Sequence, residues 1–263
     1  MGPLLREWRR SRRLSQLDLA LQMDVSARHL SRVECGRAQP SRDMVSRLAD
    51  ALGMPLRERN GLLAAAGYAR EYPETGLDSP AMAEVRRAIE FIIGHQEPYP
   101  AFVLNRQWDV LMASRGAARV TAFLCGGTRH SNMLLQFFDP EDLRAAVVNW
   151  EEVARDLMRH LHDEVAAAPE ESPIHGLLEQ VLGYPGVPSH WRTRDLGGEP
   201  PPVLTVEFRK GEQTLRFFST ITTFGTPRDV TLDDLRIECV FPADQATADL
   251  CRALEREEAP HPL

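Results

Sequence analysis

The first 70 residues are cut into short helices by their own turn chemistry, and that punctuation constrains the 263-residue chain more than any other feature. Leu4, Leu5 and Trp8 share one face of a first helix. Ser15, Ser26 and Ser41 each stand ahead of an amphipathic run, where a hydroxyl can accept from the free N–H groups of a helix start. The runs carry Leu17, Leu19, Ala20 and Leu21, then Leu30 and Val33, then Met44, Val45, Leu48, Ala49 and Leu52. Gly36 and Gly53 stand just past two of these helices, where a left-handed residue closes the last turn. Pro55 opens a fifth helix through Leu56, Leu62 and Leu63 to about Ala66. Helices this short bury their apolar stripes only by packing on one another, so residues 1–70 read as a small all-α domain.

Charge separates this head from the rest. Residues 1–70 hold 13 Arg, no Lys and 7 acidic residues, whereas residues 71–263 hold 18 basic against 31 acidic ones, so the net charge of −7 hides a basic head on an acidic body. That asymmetry fits a DNA-binding module joined to a domain that does not touch DNA. Between them, residues 71–80 contain two Pro and a Gly and read as a linker. No apolar run approaches the ~18–20 residues of a membrane span. The start, Met-Gly-Pro-Leu-Leu-Arg, has no signal-peptide core, so the expected location is the cytoplasm, with no membrane partner. Cys35, Cys125, Cys239 and Cys251 form no C-x-x-C pair and read as small packed thiols.

Residues 81–263 read as a second domain of mixed structure. Met82, Val85, Ile89, Ile92 and Ile93 line one side of a helix, which either packs on its own domain or pairs two copies. Ala101–Leu104 and Trp108–Ala113 are short strands around an Asn105-Arg106 turn. Residues 131–138 are helical, a long helix is expected from Pro140 to about Ala167, and another from Pro173 to about Leu182. Leu204, Val206 and Phe208 alternate, Lys210-Gly211-Glu212 makes a hairpin turn, and two more alternating runs follow, closed by a helix from Asp244. Two early strands, a helical insertion and three late strands can close one antiparallel sheet with helices on a single face. The expected fold class is therefore an N-terminal five-helix domain followed by an α+β domain.

Leu14-Ser15-Gln16, Ala20, Val25-Ser26, Leu30 through Arg37 and Pro40-Ser41 together resemble the lambda-repressor-like (XRE) helix-turn-helix family over roughly residues 3–66. The resemblance implies that the third helix enters the major groove N-terminus first. By family position Ser26 is a phosphate contact and Ala27, Arg28 and Arg32 read bases; Ser31 faces outward on the same helix, Gln16 at the start of the second helix has an amide to hold a phosphate, and Arg37 and Arg42 flank the third helix toward the phosphate backbone. An Arg can bridge guanine O6 and N7, and Ala27 offers only a methyl contact. Asp24 stands where the family usually has Gly in the turn, a place that commonly needs positive φ; Asp is among the few residues that tolerate it. One such head makes few contacts, so a homodimer on an inverted-repeat operator of double-stranded DNA is the expected assembly.

Residues from about 98 to 200 resemble the ligand-binding domain of MmyB-like regulators, a PAS-like fold. The residues that carry this are Pro100 to Leu111, Asn132, Phe137-Phe138-Asp139-Pro140, Asn149-Trp150-Glu151-Glu152-Val153-Ala154-Arg155 and Trp191. The resemblance implies a pocket for a small apolar ligand such as a fatty acid. Phe102, Leu104, Trp108, Phe138, Trp150 and Trp191 either line it or fill a core. Asn105 and Asn132 either fix a polar ligand group or cap turns.

Enzyme readings find little support. His160-Leu161-His162-Asp163-Glu164 sets its two His on different helix faces, so no metal site is expected. No P-loop, G-x-S-x-G or G-x-G-x-x-G occurs. The chain is expected to be a ligand-responsive transcription regulator without catalytic residues or cofactor. The alternatives are a regulator whose body only dimerises and, third, an enzyme fused to a DNA-targeting head.

Overall fold

The computed structural model of the chain describes residues 1–168, 172–194, 196 and 201–258, which gather into two compact units. The first comprises residues 1–76 and 224–233; the second comprises residues 77–223 and those from 234 onward.

The first unit opens with α1 (Gly2–Ser11), α2 (Gln16–Gln22), α3 (Ala27–Glu34), α4 (Arg42–Ala51) and α5 (Leu56–Ala65). The Ser15, Ser26 and Ser41 side chains accept from the N–H groups of Asp18, His29 and Met44, and Asp18 reciprocates to Ser15 as a capping box. Leu5, Leu19, Leu30, Val45, Leu48 and Leu62 form a core closed to solvent. Leu17 and Leu21 face outward instead, because a seven-residue α2 offers the core only Leu19 and Ala20. Asp24 takes φ +52°, the left-handed backbone its turn needs. Gly2 allows a close approach: a Cβ there would lie 2.3 Å from the carbonyl oxygen of Glu34.

Glu34 holds three of these helices together. Arg9 donates to both its carboxylate oxygens at 2.7 and 3.0 Å, and Gln16 Nε2 donates to Oε2 at 2.7 Å. Arg9 also donates to the carbonyl of Leu14 at 2.7 Å. Burial alone would push the Glu34 carboxyl up. The bonds from Arg9 and Gln16 and the charges of Arg9 and Arg6 outweigh burial and hold it below the usual carboxylate range.

The second unit runs α6 (Ala83–His95), β1 (Ala101–Leu104), β2 (Val110–Ala113), α7 (Arg115–Cys125), α8 (Met133–Phe138), α9 (Trp150–Ala167), α10 (Pro173–Leu182), β3 (Val206–Lys210), β4 (Gln213–Thr222), β5 (Arg236–Pro242) and α12 (Gln245–Glu258); α11 (Val230–Asp234), between β4 and β5 in sequence, belongs to the first unit except for its last residue. The strands form one antiparallel sheet in the order β2-β1-β5-β4-β3. The chain thus pairs a helical N-terminal region with a five-stranded antiparallel sheet and its helices, the fold class the sequence implies. β5, late in sequence, is the central strand.

Two readings are corrected, and one helix is new. α7 was not foreseen; Ser114 caps its start and Gly126, at φ +78°, ends it. The long helix begins at Trp150, not Pro140. Leu143 and Val147 have helical spacing, but Leu143–Ala146 form a 3-10 turn. Val148 then donates to the carbonyl of Glu207 at 2.7 Å, extending the backbone along β3. The sheet is also packed on both of its faces rather than one: Ala101, Val103, Ile237 and Cys239 are buried on one side, while Phe102, Glu238 and Val240 on the other are half-buried. α6 packs on β1 and β5 and buries Met82, Ile89 and Ile93, so that stripe is used within its own unit.

Residues 71–76 and 224–233 fold onto α5. Asn60 is buried and grips the first segment: its side chain accepts from the N–H groups of Glu71 and Tyr72 and donates to the carbonyl of Tyr72. α5 has Pro55 at its N-cap and no cap from its own side chains. The cap comes from Asp233, whose carboxylate accepts from Leu56 N–H at 2.8 Å across 177 positions. Val230 N–H donates to Pro73 O at 2.8 Å, and Asp229 Oδ1 accepts from Thr75 and Thr231.

Removing Glu34 leaves the Arg9 guanidinium buried without its partner. Glu34→Ala is expected to lower the opening free energy of α3 amides by about 3–5 kcal/mol, measured by native-state hydrogen exchange. Because the Glu34 carboxyl is depressed in the folded chain, its contribution is present above the ordinary Glu range and lost as pH falls through the folded value. Wild-type α3 protection is expected to fall in that acid window, and the Glu34→Gln variant to lack that step.

Candidate functional site

The outward face of α3 is basic. Arg28 and Arg32 are exposed and lie one turn apart, with no ion pair to described residues. Arg37 is exposed just past the helix. Ser31 is half-buried, and Ala27 is half-buried against the core, leaving its methyl partly outside. Ser26 accepts from His29 N–H as the N-cap and keeps its own hydroxyl proton to donate. Gln16 has one amide N–H on Glu34 and a second to spare. Arg42, which flanks the helix in sequence, pairs with Glu71 at 3.2 Å.

The second unit encloses a cavity of about 510 Å3. The sheet supplies one wall, through Phe102 of β1, Phe217, Ser219 and Ile221 of β4, and Glu238 and Val240 of β5. These residues share a face because the register sets Phe102 opposite Glu238 and Glu238 opposite Ile221. Helices supply the other wall, with Val120 and Leu124 of α7, Phe137 of α8, and Val153 and Leu157 of α9. Pro201 to Leu204 run along it. Val203 and Ile221 are largely exposed and mark where it opens.

The proposed ligand residues divide. Phe102 and Trp108 line the cavity; Leu104, Asn105, Asn132, Phe138, Trp150 and Trp191 do not. Leu104, Phe138 and Trp191 are fully buried in an adjoining core. Trp150 stacks on Trp191 at 6.3 Å, meets Phe138 edge-on at 6.0 Å, carries the Arg144 guanidinium 3.6 Å above its ring, and donates to Phe137 O at 2.7 Å. This aromatic block braces α8 and α9 so that their neighbouring residues, Phe137, Val153 and Leu157, face the cavity.

The two asparagines act on the backbone. Asn105 Oδ1 accepts from the N–H groups of Gln107 and Asp109 at 2.9 Å each. Asn132 caps α8 and donates to Gln107 O and to Asp109 Oδ1. Between them they hold Trp108 at φ +68°, a left-handed conformation costly for a bulky residue. The Trp108 indole N–H is buried and has no hydrogen-bond partner among the described residues. Such a donor costs about 1–3 kcal/mol when it is left unsatisfied.

Sequence reasoning missed the polar residues of the cavity. Glu238 is surrounded by protein, and the surface it keeps borders the cavity; burial pushes its carboxyl up, against a hydrogen bond with Ser219 and the nearby His160. Asp156 and His160 of α9 lie 3.5 Å apart on the same lining. A glutamate between Ile237 and Cys239 was the available signal, but its direction depends on a register that the sequence does not state. Buried His162 contacts the Trp191 carbonyl at 2.8 Å through Nε2. Among the described residues no three His, Cys, Asp or Glu side chains gather as a metal set, and no helix is long and apolar enough to cross a membrane. Burial pushes the Cys251 thiol up to about 11, which suits a packing residue.

Two family models match the chain. Residues 1–62 match a helix-turn-helix domain, and residues 85–254 match the MmyB-like transcription regulator ligand binding domain. A 102-residue stretch is 33% identical to the uncharacterized HTH-type transcriptional regulator RghRB of Bacillus subtilis (strain 168), covering 38% of this chain and 63% of that protein. A solved structure titled an RNA-binding Light-Oxygen-Voltage receptor aligns over 92% of this chain and 61% of its own, at 14% identity and a TM-score of 0.24, too distant to bear on the fold. The chain spans less than two thirds of the length of each. With the ligand-binding match covering most of its length and a helix-turn-helix ahead of it, the chain belongs to the MmyB-like transcription regulators.

Proposed function

We propose that this regulator binds an inverted-repeat operator as a homodimer in the cytoplasm, and that a small, mostly apolar molecule in the 510 Å3 cavity adjusts that binding. Gln16, Ser26, Arg37 and the spare donors near them hold phosphates, while Ala27, Arg28, Ser31 and Arg32 face base edges. The walls suit an alkyl or aromatic body of the size of a fatty-acid chain, with Phe102 and Trp108 as its contacts. The other six nominated residues shape the cavity from behind. No catalytic residue or cofactor is assigned.

One observation carries the reading. β4 and β5 wall the cavity, and the segment that joins them, residues 224–233, folds as part of the DNA-binding unit and caps α5 through Asp233. A shift of β4 or β5 on occupancy therefore pulls, through covalent chain, on the cap of α5, a helix of the DNA-binding unit. Coupling of about 1–3 kcal/mol, a change of about 5–150-fold in operator affinity, is typical for such linkage.

Arg28→Ala and Arg32→Ala are each expected to cost about 1–3 kcal/mol of specific binding and to relax base choice in salt-matched gel shifts. Parental affinity in both variants would remove α3 from the interface. Light scattering of the operator complex should give two chains per site, and footprints should show two-fold symmetry with half-site centres about one helical turn apart or a multiple of it. Asp233→Ala should weaken the α5 cap by about 0.5–2 kcal/mol and shrink the ligand-dependent change in operator affinity, while ligand affinity holds. For the ligand itself, denaturing extraction of purified full-length protein is read by mass spectrometry, and apolar amphiphiles are screened by thermal shift. A bound species or a raised melting temperature is expected. If neither appears, the body acts in dimerisation alone.

A further inference from the structure

The cavity is apolar in bulk but not in sign. Its charged lining residues are Asp156, His160 and Glu238, and no Lys or Arg lines it among the described residues. Asp156 is already accompanied, by His160 at 3.5 Å and Arg159 at 3.8 Å. His160 is more than half exposed and lies near both Asp156 and Glu238. Glu238 shares the same His160 and has no Lys or Arg beside it on the lining. It projects from the central strand into the cavity, with the Ser219 hydroxyl on the adjacent strand as its hydrogen-bond partner. Aromatic residues share its lining: Phe102 directly opposite on β1, Phe217 further along β4, and Trp108 beyond, whose ring already carries the Arg236 guanidinium 5.9 Å from its centre.

A buried carboxylate among ring faces is the chemistry that receives an organic cation. The ring quadrupoles and the carboxylate attract positive charge together, and the attraction grows as water is excluded. Burial favours the uncharged Glu238 carboxyl while the cavity is empty; a cation draws out the carboxylate as it seats, whereas an anion sits beside Glu238 only while that group keeps its proton. We infer that the cavity selects a lipophilic cation, an apolar body carrying a protonated amine seated on Glu238, over a fatty acid of equal length. This rests on the proposed ligand-binding role of the cavity and adds the sign of the ligand's polar end. The ordinary cost of enclosing Glu238 points the same way, since a cationic partner offsets it.

The test uses three probes that share one tail: decylammonium, decanol and decanoate. Each is titrated calorimetrically into the full-length protein at neutral pH, below its micelle concentration. Decylammonium is expected to bind at least about tenfold tighter than decanoate, with decanol between them. Glu238→Gln keeps the side-chain shape and removes the charge; it should lower decylammonium affinity about tenfold or more and change decanol affinity by less than about twofold. Retained decanol binding also shows that the variant is folded. Decanoate binding as tightly as decylammonium overturns the inference and leaves the ligand-binding reading standing. An amine preference that survives Glu238→Gln assigns the selectivity elsewhere and equally overturns it. If the wild type takes up none of the three probes, both readings fail.

Discussion

The carboxylate of Glu34 fixes the DNA-reading unit. It sits on the last residue of α3 and receives Arg9 from α1 and Gln16 from the first position of α2, so one buried group sets the relation of three helices. A buried ion pair is weak evidence for net stability, because desolvation offsets much of the attraction. Its geometric effect is firmer. A bidentate guanidinium–carboxylate pair tolerates little rotation, and here it holds α3 against α1 where Gly2 permits backbone contact. The base-reading role proposed for Arg28 and Arg32 requires their helix axis to keep one angle. Gln16 links the two tasks, with one amide proton on Glu34 and another directed by the same bond.

The second unit uses polar residues in the same way. Asn105, Asn132 and Asp109 form a small network at the β1–β2 turn, and its product is the position of Trp108. A bulky residue at positive φ persists only where its surroundings over-determine it. The network supplies that determination, and the Trp150–Trp191–Phe138 block stiffens the facing helices. The cavity therefore lies between two rigid supports, each built from residues that do not touch its interior.

That arrangement explains what the sequence disclosed. Local chemistry was legible: the three serine caps, the left-handed Asp24, the Asn105 turn and the hairpin at Gly211 act over a few residues and are written in a few residues. Long-range placement was not. Phe138 and Trp150 stood out because they are large, yet the side chains at the cavity are their neighbours, and only the packing of the aromatic block decides which of two adjacent residues turns inward. Val147 has helical spacing to Leu143 and Val153, but β3, sixty residues on, claims the neighbouring backbone. Glu238 reads as the polar side of a half-exposed strand until β5 is known to be central and covered on both faces. The remote cap on α5 left no local signal at all.

The position of Glu238 also bears on how occupancy can be felt elsewhere. A ligand shifts an equilibrium only by the difference in its affinity for two states, so tight binding to unchanging apolar walls would regulate nothing. Apolar contacts are non-directional and change little when a strand slides by a fraction of an ångström. A charge seated on a carboxylate in a water-poor space changes steeply with distance. Glu238 stands five residues from Asp233, with the start of β5 between them, and Asp233 holds the first turn of α5. The most distance-sensitive contact available to a ligand is thus placed on the strand that leads directly to the DNA-binding unit, while the insensitive apolar contacts are spread over the remaining walls.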